Sequence, residues 1–318
     1  LEDKIAELVR VRNWDDYVGQ QRLKAHFDIK IRAARTQERM LDHTLLIAPP
    51  GAGKSTLVGL IADRLGDDML SLAMPVPYDQ FLYEIEGFLG GVVFLDEIHN
   101  APRAFLERLQ FGLHDDDRYL PGAYGERVST NHVTFIAATT TADRQRLMPP
   151  LVQRFKYRPS WEPYSDEEMG QIVAGMAGRA STEISPEVCV ALGRAAGGVP
   201  RAAQGLVAAA RDLAAVDMEV TVDTVLELAG LDRDGLTGDH LLYLQTLDAV
   251  GGTAGLSVIV SMMGSTTQQV QDLERMLVLR GFVRRTGNGR RIMAPGRAKI
   301  RQADEVPAGT ISRRRRPA

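Results

Sequence analysis

Three short runs of unbroken apolar residues interrupt the chain's otherwise alternating pattern: Thr44–Ile47 (TLLI), Val92–Leu95 (VVFL) and the core of HVTFIAATTT, residues 132–141. Strands apolar at every position are buried on both faces, as in the interior of a parallel sheet covered by helices. After the first run the spacing changes to three and four, and Lys54–Leu65 reads as an amphipathic helix closed by Gly66. Strand alternating with helix predicts an α/β domain with a parallel sheet over residues 1–160. From 161 to 233 the pattern is helical throughout, in YSDEEMGQIVAGMAGRA, SPEVCVALGRAAGG, VPRAAQGLVAAARDLAAV and VTVDTVLELAGL. Asp, Ser or Thr residues suited to capping precede several of these stretches, so an all-α domain is expected there. LDRDGLTG follows as a polar linker.

Residues 234–300 carry a third pattern. Leu256–Met263 reads as one helix, Gly264 and Ser265 as a turn, and Thr267–Arg280 as a second helix with Val270, Leu273 and Leu277 along one stripe. Gly281 ends that helix. Phe282–Arg285 and Arg290–Met293 are strand-like and flank Thr286-Gly287-Asn288-Gly289, a strong hairpin signal. Two helices about a turn and then a hairpin predict a winged helix. Residues 301–318 are expected to form a basic, disordered tail.

Charge changes this picture at one end only. The formal net charge is −3, and Arg275–Ala318 holds 13 Lys and Arg against two Asp and Glu, leaving the remainder strongly acidic. The stretch RGFVRRTGNGRR, residues 280–291, places five arginines in twelve positions. Such a cluster repels itself unless an anion faces it, and in a helix-turn-helix setting that anion is nucleic-acid phosphate. Arg284, Arg285, Arg290 and Arg291 are therefore candidate DNA contacts. The second helix is expected to expose Gln268, Gln271, Asp272, Glu274 and Arg275, a poor code for base edges, so binding should be largely independent of sequence. The single cysteine, Cys189, lies in a helical pattern, reads as a buried apolar residue and fits a reducing compartment. The uncharged run Ala249–Gln271 contains four glycines and a Ser, Thr and Gln-rich tail, unsuited to a membrane span. With no secretory pattern at the start, the cytoplasm is the expected location.

The candidate chemistry follows the first two apolar strands. APPGAGKST, residues 48–56, is a phosphate-binding loop opening a helix. Pro50, Gly51, Ala52 and Gly53 let backbone N–H groups turn inward, Lys54 reaches the phosphates of ATP, Ser55 can ligate Mg²⁺, and Thr56 completes the first turn. The pattern expects glycine at the first position, which here is Ala48. GGVVFLDEIHN ends its strand in two carboxylates. Asp96 would hold Mg²⁺ and Glu97 would polarise the attacking water, while His99 reads as structural. Thr140, at the end of the third strand, is a candidate for holding that water against the γ-phosphate.

Taken together, WDDYVGQ, LDHTLLIAPPGAGKST, VVFLDEIH, FIAATTT, PLVQRF, GGVPRAAQGLV and GGTAGLSV…LVLRGFVRRTGNGRR, spread over residues 14–293, resemble the RuvB family of AAA+ ATPases. The resemblance implies a P-loop AAA+ domain, a helical lid and a winged helix, assembled as a homo-oligomeric, hexameric ring that moves duplex or four-way-junction DNA with ATP and Mg²⁺. It implies that Tyr17 and Val18 line the adenine pocket, that Arg154 is an arginine finger reaching a neighbouring subunit, and that Arg201 is the lid's sensor arginine. Two departures stand out. Val152 replaces an arginine that the family usually carries two positions before its finger. RYLPGAYGERVSTNH, residues 118–132, is shorter and more polar than the hairpin with which the family docks on its RuvA loader, which puts such a partner in doubt. Two other classes remain open: an initiator or clamp-loader-like switch that binds ATP and DNA, and a protein-remodelling adaptor. DNA-stimulated turnover and salt-dependent DNA binding separate the three.

Overall fold

The computed structural model describes residues 7–114 and 117–305. They fall into two compact units, one spanning Arg10–Tyr164 and the other holding the remaining described residues.

In the first unit α1 (Gln21–Thr36) precedes β1 (Thr44–Ile47), α2 (Lys54–Leu65), β2 (Asp68–Ala73), α3 (Tyr78–Gly87), β3 (Gly91–Asp96), α4 (Arg103–Gly112), the hairpin β4 (Tyr119–Pro121) and β5 (Arg127–Ser129), β6 (Val133–Thr139) and α5 (Pro149–Arg154). Four strands pair in the order β1-β6-β3-β2, all parallel. Successive side chains on a strand point to opposite faces, and here each face has its own core. Leu45, Val93, Leu95, Phe135 and Ala137 pack into one with Phe105, Leu106 and Leu109 of α4. Leu46, Val92, Phe94, Ile136 and Ala138 pack into the other with Leu57, Val58 and Ile61 of α2. Two covered faces explain why the sequence runs are apolar at every position rather than at alternate ones.

The second unit begins with four helices: α6 (Asp166–Arg179), α7 (Pro186–Ala195), α8 (Pro200–Ala215) and α9 (Val222–Leu228). Ser165 and Thr221 cap α6 and α9 by full capping boxes, and Ser185 caps α7. Cys189 is buried, and burial raises its thiol pKa. The winged helix follows within the same unit. It comprises α10 (Gly238–Ala249), β7 (Thr253–Ala254), α11 (Leu256–Met263), α12 (Thr267–Leu279), β8 (Val283–Thr286), β9 (Gly289–Ile292) and α13 (Ala294–Glu305). Its three strands are antiparallel in the order β7-β9-β8. Tyr243, Leu244 and Leu247 of α10 meet Ile259, Val270, Leu277 and Ile292 in one core. Helix α13 continues through Arg301 to Glu305, residues expected to belong to the tail, because Ile300 packs on that core and Lys299 pairs with Asp232 at 2.9 Å. The basic run Arg313–Arg316 lies outside the described residues. Among the described residues, no helix is long and apolar enough to cross a membrane.

Helices α6 and α7 meet so closely that a Cβ on Gly193 would lie 2.5 Å from the backbone nitrogen of Gly170. Backbone atoms cannot yield cheaply, so Gly193→Ala should destabilise the protein by about 1–3 kcal/mol. Gly205, within α8, faces open space. Gly205→Ala should stabilise by roughly 0.5–1 kcal/mol through helix propensity alone. Urea unfolding of the two variants beside the parent measures both, and opposite signs are expected.

A candidate nucleotide site and a basic wing

Because β6 lies between β1 and β3, the C-terminal ends of all three strands are neighbours. Ile47 pairs with Thr139, and Leu95 with Ala137. Such a crevice at the carboxyl ends of parallel strands is where open α/β sheets bind ligands.

The loop Ala48–Gly53 leaves β1 by a bond from the Ala48 N–H to the Thr139 carbonyl, 3.2 Å. Gly51 (φ 71°) and Gly53 (φ 95°) take left-handed conformations that glycine adopts freely. Gly53 caps α2 without any side-chain bond, so the first N–H groups of the helix remain available to an anion. Lys54 is buried, with its ammonium inside the loop, donating to the carbonyls of Ala48 (3.2 Å) and Pro49 (3.1 Å). Pro50, Gly51, Gly53 and Thr56 are half-buried, Ala52 is buried, and Ser55 is exposed at the first turn.

Two tyrosines brace this loop. Tyr17 Oη lies 3.4 Å from the Gly53 carbonyl and 3.3 Å from Tyr164 Oη, and Tyr164 donates to the Ala52 carbonyl at 3.1 Å. Burial, then the neighbouring Tyr164, raises the Tyr17 pKa well above its ordinary value, so Tyr17 is a neutral phenol. Lys24 donates to the Tyr17 carbonyl at 2.9 Å, and Gln20 exchanges two hydrogen bonds with the Glu162 backbone. The segment WDDYVGQ is thereby tied beside the loop, with Val18 half-buried. Tyr164 was not singled out in the sequence, where an aromatic after a proline has no distinctive spacing.

At the end of β3, Asp96 Oδ1 accepts the Glu97 N–H at 3.0 Å. Glu97 has φ 51°, a left-handed backbone that costs a non-glycine residue on the order of 1–3 kcal/mol and marks functional turns. Its Oε2 lies 3.2 Å from His99 Nε2. At the end of β6 Thr140 is buried and donates to Asp143 Oδ2 at 2.6 Å, while the Asp143 N–H returns a bond to the Thr140 hydroxyl at 3.1 Å. Asp143 was not anticipated, since nothing in TTTADRQR marks it. His99, expected as purely structural, joins the two strand ends by standing between Glu97 and Asp143.

The donor set suits Mg²⁺. Ser55 offers an exposed hydroxyl, and one oxygen of Asp96 is engaged by a backbone N–H while the other is left for a cation or its water. Among the described residues, no group of three or more His, Cys, Asp or Glu could hold a metal.

The two arginines drawn from the resemblance sit at helix ends. Arg154 is the last residue of α5, half-buried, with no hydrogen bond or ion pair among the described residues. Arg201 is the second residue of α8 and is exposed.

The wing departs from expectation in one respect. Glu274, expected on the exposed face of α12, is fully buried. It accepts bonds from Arg285 and from Arg290 (2.9 Å), and lies 3.4 Å from Tyr243 Oη. Arg285 and Arg290 face each other across the ladder on the side of Val283 and Ile292, which is the side of the core. The alternation of strand side chains sends Arg284 and Arg291, also opposite each other, to the other side, where both are exposed. Arg291 further lines a cavity of about 400 Å³ with Arg297 and Arg301 of α13.

Comparison with known proteins agrees with this architecture. Residues 9–160 match the model of the Holliday junction DNA helicase RuvB P-loop domain, and residues 233–300 match that of the RuvB C-terminal winged helix domain. The Holliday junction branch migration complex subunit RuvB of Kosmotoga olearia is 32% identical over 307 residues, 91% of this chain and 89% of its own. That of Lactobacillus johnsonii is 33% identical over 310 residues, 92% of this chain and 90% of its own. Among solved structures, the Thermotoga maritima RuvB Holliday junction branch migration motor superposes with a TM-score of 0.79 at 26% identity, covering 94% of this chain and all of that one. With both domain models matched and relatives aligned over nine-tenths of its length, the chain belongs to the RuvB family.

Proposed function

We propose that the protein is a Mg²⁺-dependent ATPase that converts hydrolysis into movement of duplex or four-way-junction DNA, as a branch-migration motor. The observation that carries this reading is the meeting of Lys54, Asp96, Glu97 and Thr140 at three adjacent strand ends in a chain that also bears a basic winged helix. Lys54 and the N-terminus of α2 would bind the phosphates, and Tyr17 and Val18 would border the base. Mg²⁺, held by Ser55 and Asp96, would neutralise charge on the phosphates. Glu97 would take the proton of the attacking water, and Thr140 would orient that water. Arg154, with no partner among the described residues, is suited to reach the nucleotide of a neighbouring subunit in a ring, and Arg201 to sense it from the helical segment. Charge developing on the phosphate oxygens is what such arginines stabilise. A hexamer is the family expectation.

The hairpin β4–β5 weighs against a RuvA-type loader bound through apolar side chains. Of its large groups, Leu120 is buried and Tyr119 packs on Phe111 and under Arg127, so Tyr124 alone is fully presented.

Steady-state turnover with and without four-way DNA, followed by branch migration of a labelled junction, tests the reading directly. Lys54→Ala should lose ATP binding, whereas Glu97→Gln should bind ATP and fail to turn it over. Wild-type turnover in Glu97→Gln would remove that residue from the mechanism.

A shared active site makes a second expectation. Arg154→Ala should bind ATP without hydrolysing it, and mixing it with Lys54→Ala should restore part of the activity. Turnover per subunit that is independent of protein concentration, in a species that stays monomeric with ATP, would exclude a finger acting between subunits.

The two faces of the wing should respond differently. Each lost phosphate contact flattens the slope of log affinity against log salt by about 0.9 on duplex DNA, so Arg284→Ala with Arg291→Ala should flatten it by about 1.8 at unchanged stability. Removing Arg285 and Arg290 strands the Glu274 carboxylate in the core and should cost about 3–5 kcal/mol of stability. Affinity titrations over a salt series, with thermal unfolding of each double variant, separate the two.

A further inference from the structure

We infer that His99 is a positioning residue for ATP hydrolysis, which sets the carboxylate of Glu97 and links it through Asp143 to the hydroxyl of Thr140. The inference rests on the reading of Glu97 as the base and adds to it the device that aims that base. His99 is buried, and both its ring nitrogens are engaged. Nδ1 lies 3.1 Å from Thr139 Oγ1, while Nε2 faces Glu97 Oε2 at 3.2 Å and Asp143 Oδ2 at 3.5 Å. Two carboxylates can only accept, so a proton on Nε2 suits that side of the ring, and Nδ1 stands opposite the Thr139 hydroxyl.

Nε2 thus stands within ion-pair distance of both carboxylates. Held beside the ring, Glu97 Oε2 would keep the carboxylate in one rotamer and leave Oε1 to receive the proton of the water. In that step the water oxygen bonds to the γ-phosphorus, the bond to the bridging oxygen breaks, and ADP departs with the electron pair. Asp143 Oδ2 also accepts the Thr140 hydroxyl at 2.6 Å, and its Oδ1 lies 3.7 Å from Arg146. When Thr140 turns its hydroxyl to a phosphate or to water, Asp143 loses its shorter bond and draws more on His99. A purely space-filling histidine needs none of these partners. A strand-end glutamate on a left-handed turn, by contrast, needs an external contact to hold its side chain in one place.

The test is steady-state ATP hydrolysis by the full chain, with and without duplex DNA, beside equilibrium binding of a fluorescent ATP analogue and thermal unfolding. His99→Leu roughly keeps the volume and removes the contacts of both ring nitrogens. It should lower kcat by roughly 10- to 100-fold, as a misplaced base does, with KM and analogue affinity within about twofold. His99→Gln restores an N–H donor and should recover a substantial part of the loss. In a Glu97→Gln background, His99→Leu should lower the slow residual turnover by less than about twofold, because the group it positions is already disabled. If His99→Leu does not fold, His99→Gln and Asp143→Asn carry the test: both should lower kcat with KM unchanged. Wild-type kcat in His99→Leu, a raised KM at unchanged kcat, or no recovery in His99→Gln when both variants are folded would overturn the role of His99. Full turnover in Glu97→Gln would overturn the base assignment instead, and this inference with it. A dead Glu97→Gln beside a normal His99→Leu would remove the inference alone.

Discussion

The placement of β6 between β1 and β3 is the constraint on which the rest of the first unit depends. Were the strands paired in chain order, β2, which carries none of the site residues, would stand between the phosphate loop and the paired carboxylates. The crossover brings the third strand, with Thr139 and Thr140, into the gap. Parallel pairing also sends all three C-termini to one edge of the sheet, so one crevice receives a lysine, two acids and a hydroxyl from segments that lie up to 86 residues apart in the chain. The energetic support for this arrangement is the two apolar cores that sandwich the strands. In β1, β3 and β6 polar chemistry is confined to strand ends because every interior position is taken by Leu, Val, Phe, Ile or Ala in close packing, apart from Thr134, which satisfies its hydroxyl on the Leu41 carbonyl.

Much of this was legible in the sequence because the signals are local. Strand β1 and helix α2 have the bounds that the apolar run and Gly66 predict, and helix α11 those that Gly264 predicts. The hairpin turn at Thr286–Gly289 was marked by its Gly and Asn residues. What escaped notice depends on pairing across long separations. Asp143 is defined as a site residue by where β6 ends relative to β3, and Tyr164 by its packing on a loop 112 residues away. His99 reads only as structural in the sequence, since sequence cannot tell which carboxylates a ring will face.

Glu274 is the instructive case for charge. On helical spacing it falls one position past the stripe of Val270, Leu273 and Leu277, and an acid there reads as solvated. The fold buries it because two strands of the wing cross that face of α12 and each contributes an arginine. A buried carboxylate is tolerable only with its charge matched and its lone pairs occupied, and two guanidinium groups with a phenol do both. The five-arginine run therefore serves two purposes that composition merges: Arg285 and Arg290 fasten the hairpin to its helix, and Arg284 and Arg291 project from it.

That division bears on how force could pass between DNA and the rest of the winged helix. A hairpin attached only through its turn would bend under load, dissipating displacement in its own flexing. This wing is fixed along both strands. Phe282 and Ile292 enter the core, β9 pairs with β7, and the paired arginines clamp the hairpin to α12 through one buried carboxylate. Helix α13 and the residue before it add a second bracing, since the Met293 N–H binds the Phe282 carbonyl at 2.8 Å and Arg297 of α13 pairs with Asp248 of α10 at the same distance. Phosphates gripped by Arg284 and Arg291 would accordingly be held by the whole three-stranded and four-helix body. A sequence-independent contact made and broken repeatedly would need stiffness behind it and weak individual phosphate bonds in front of it, and two arginine pairs alternating along one ribbon would suit that division.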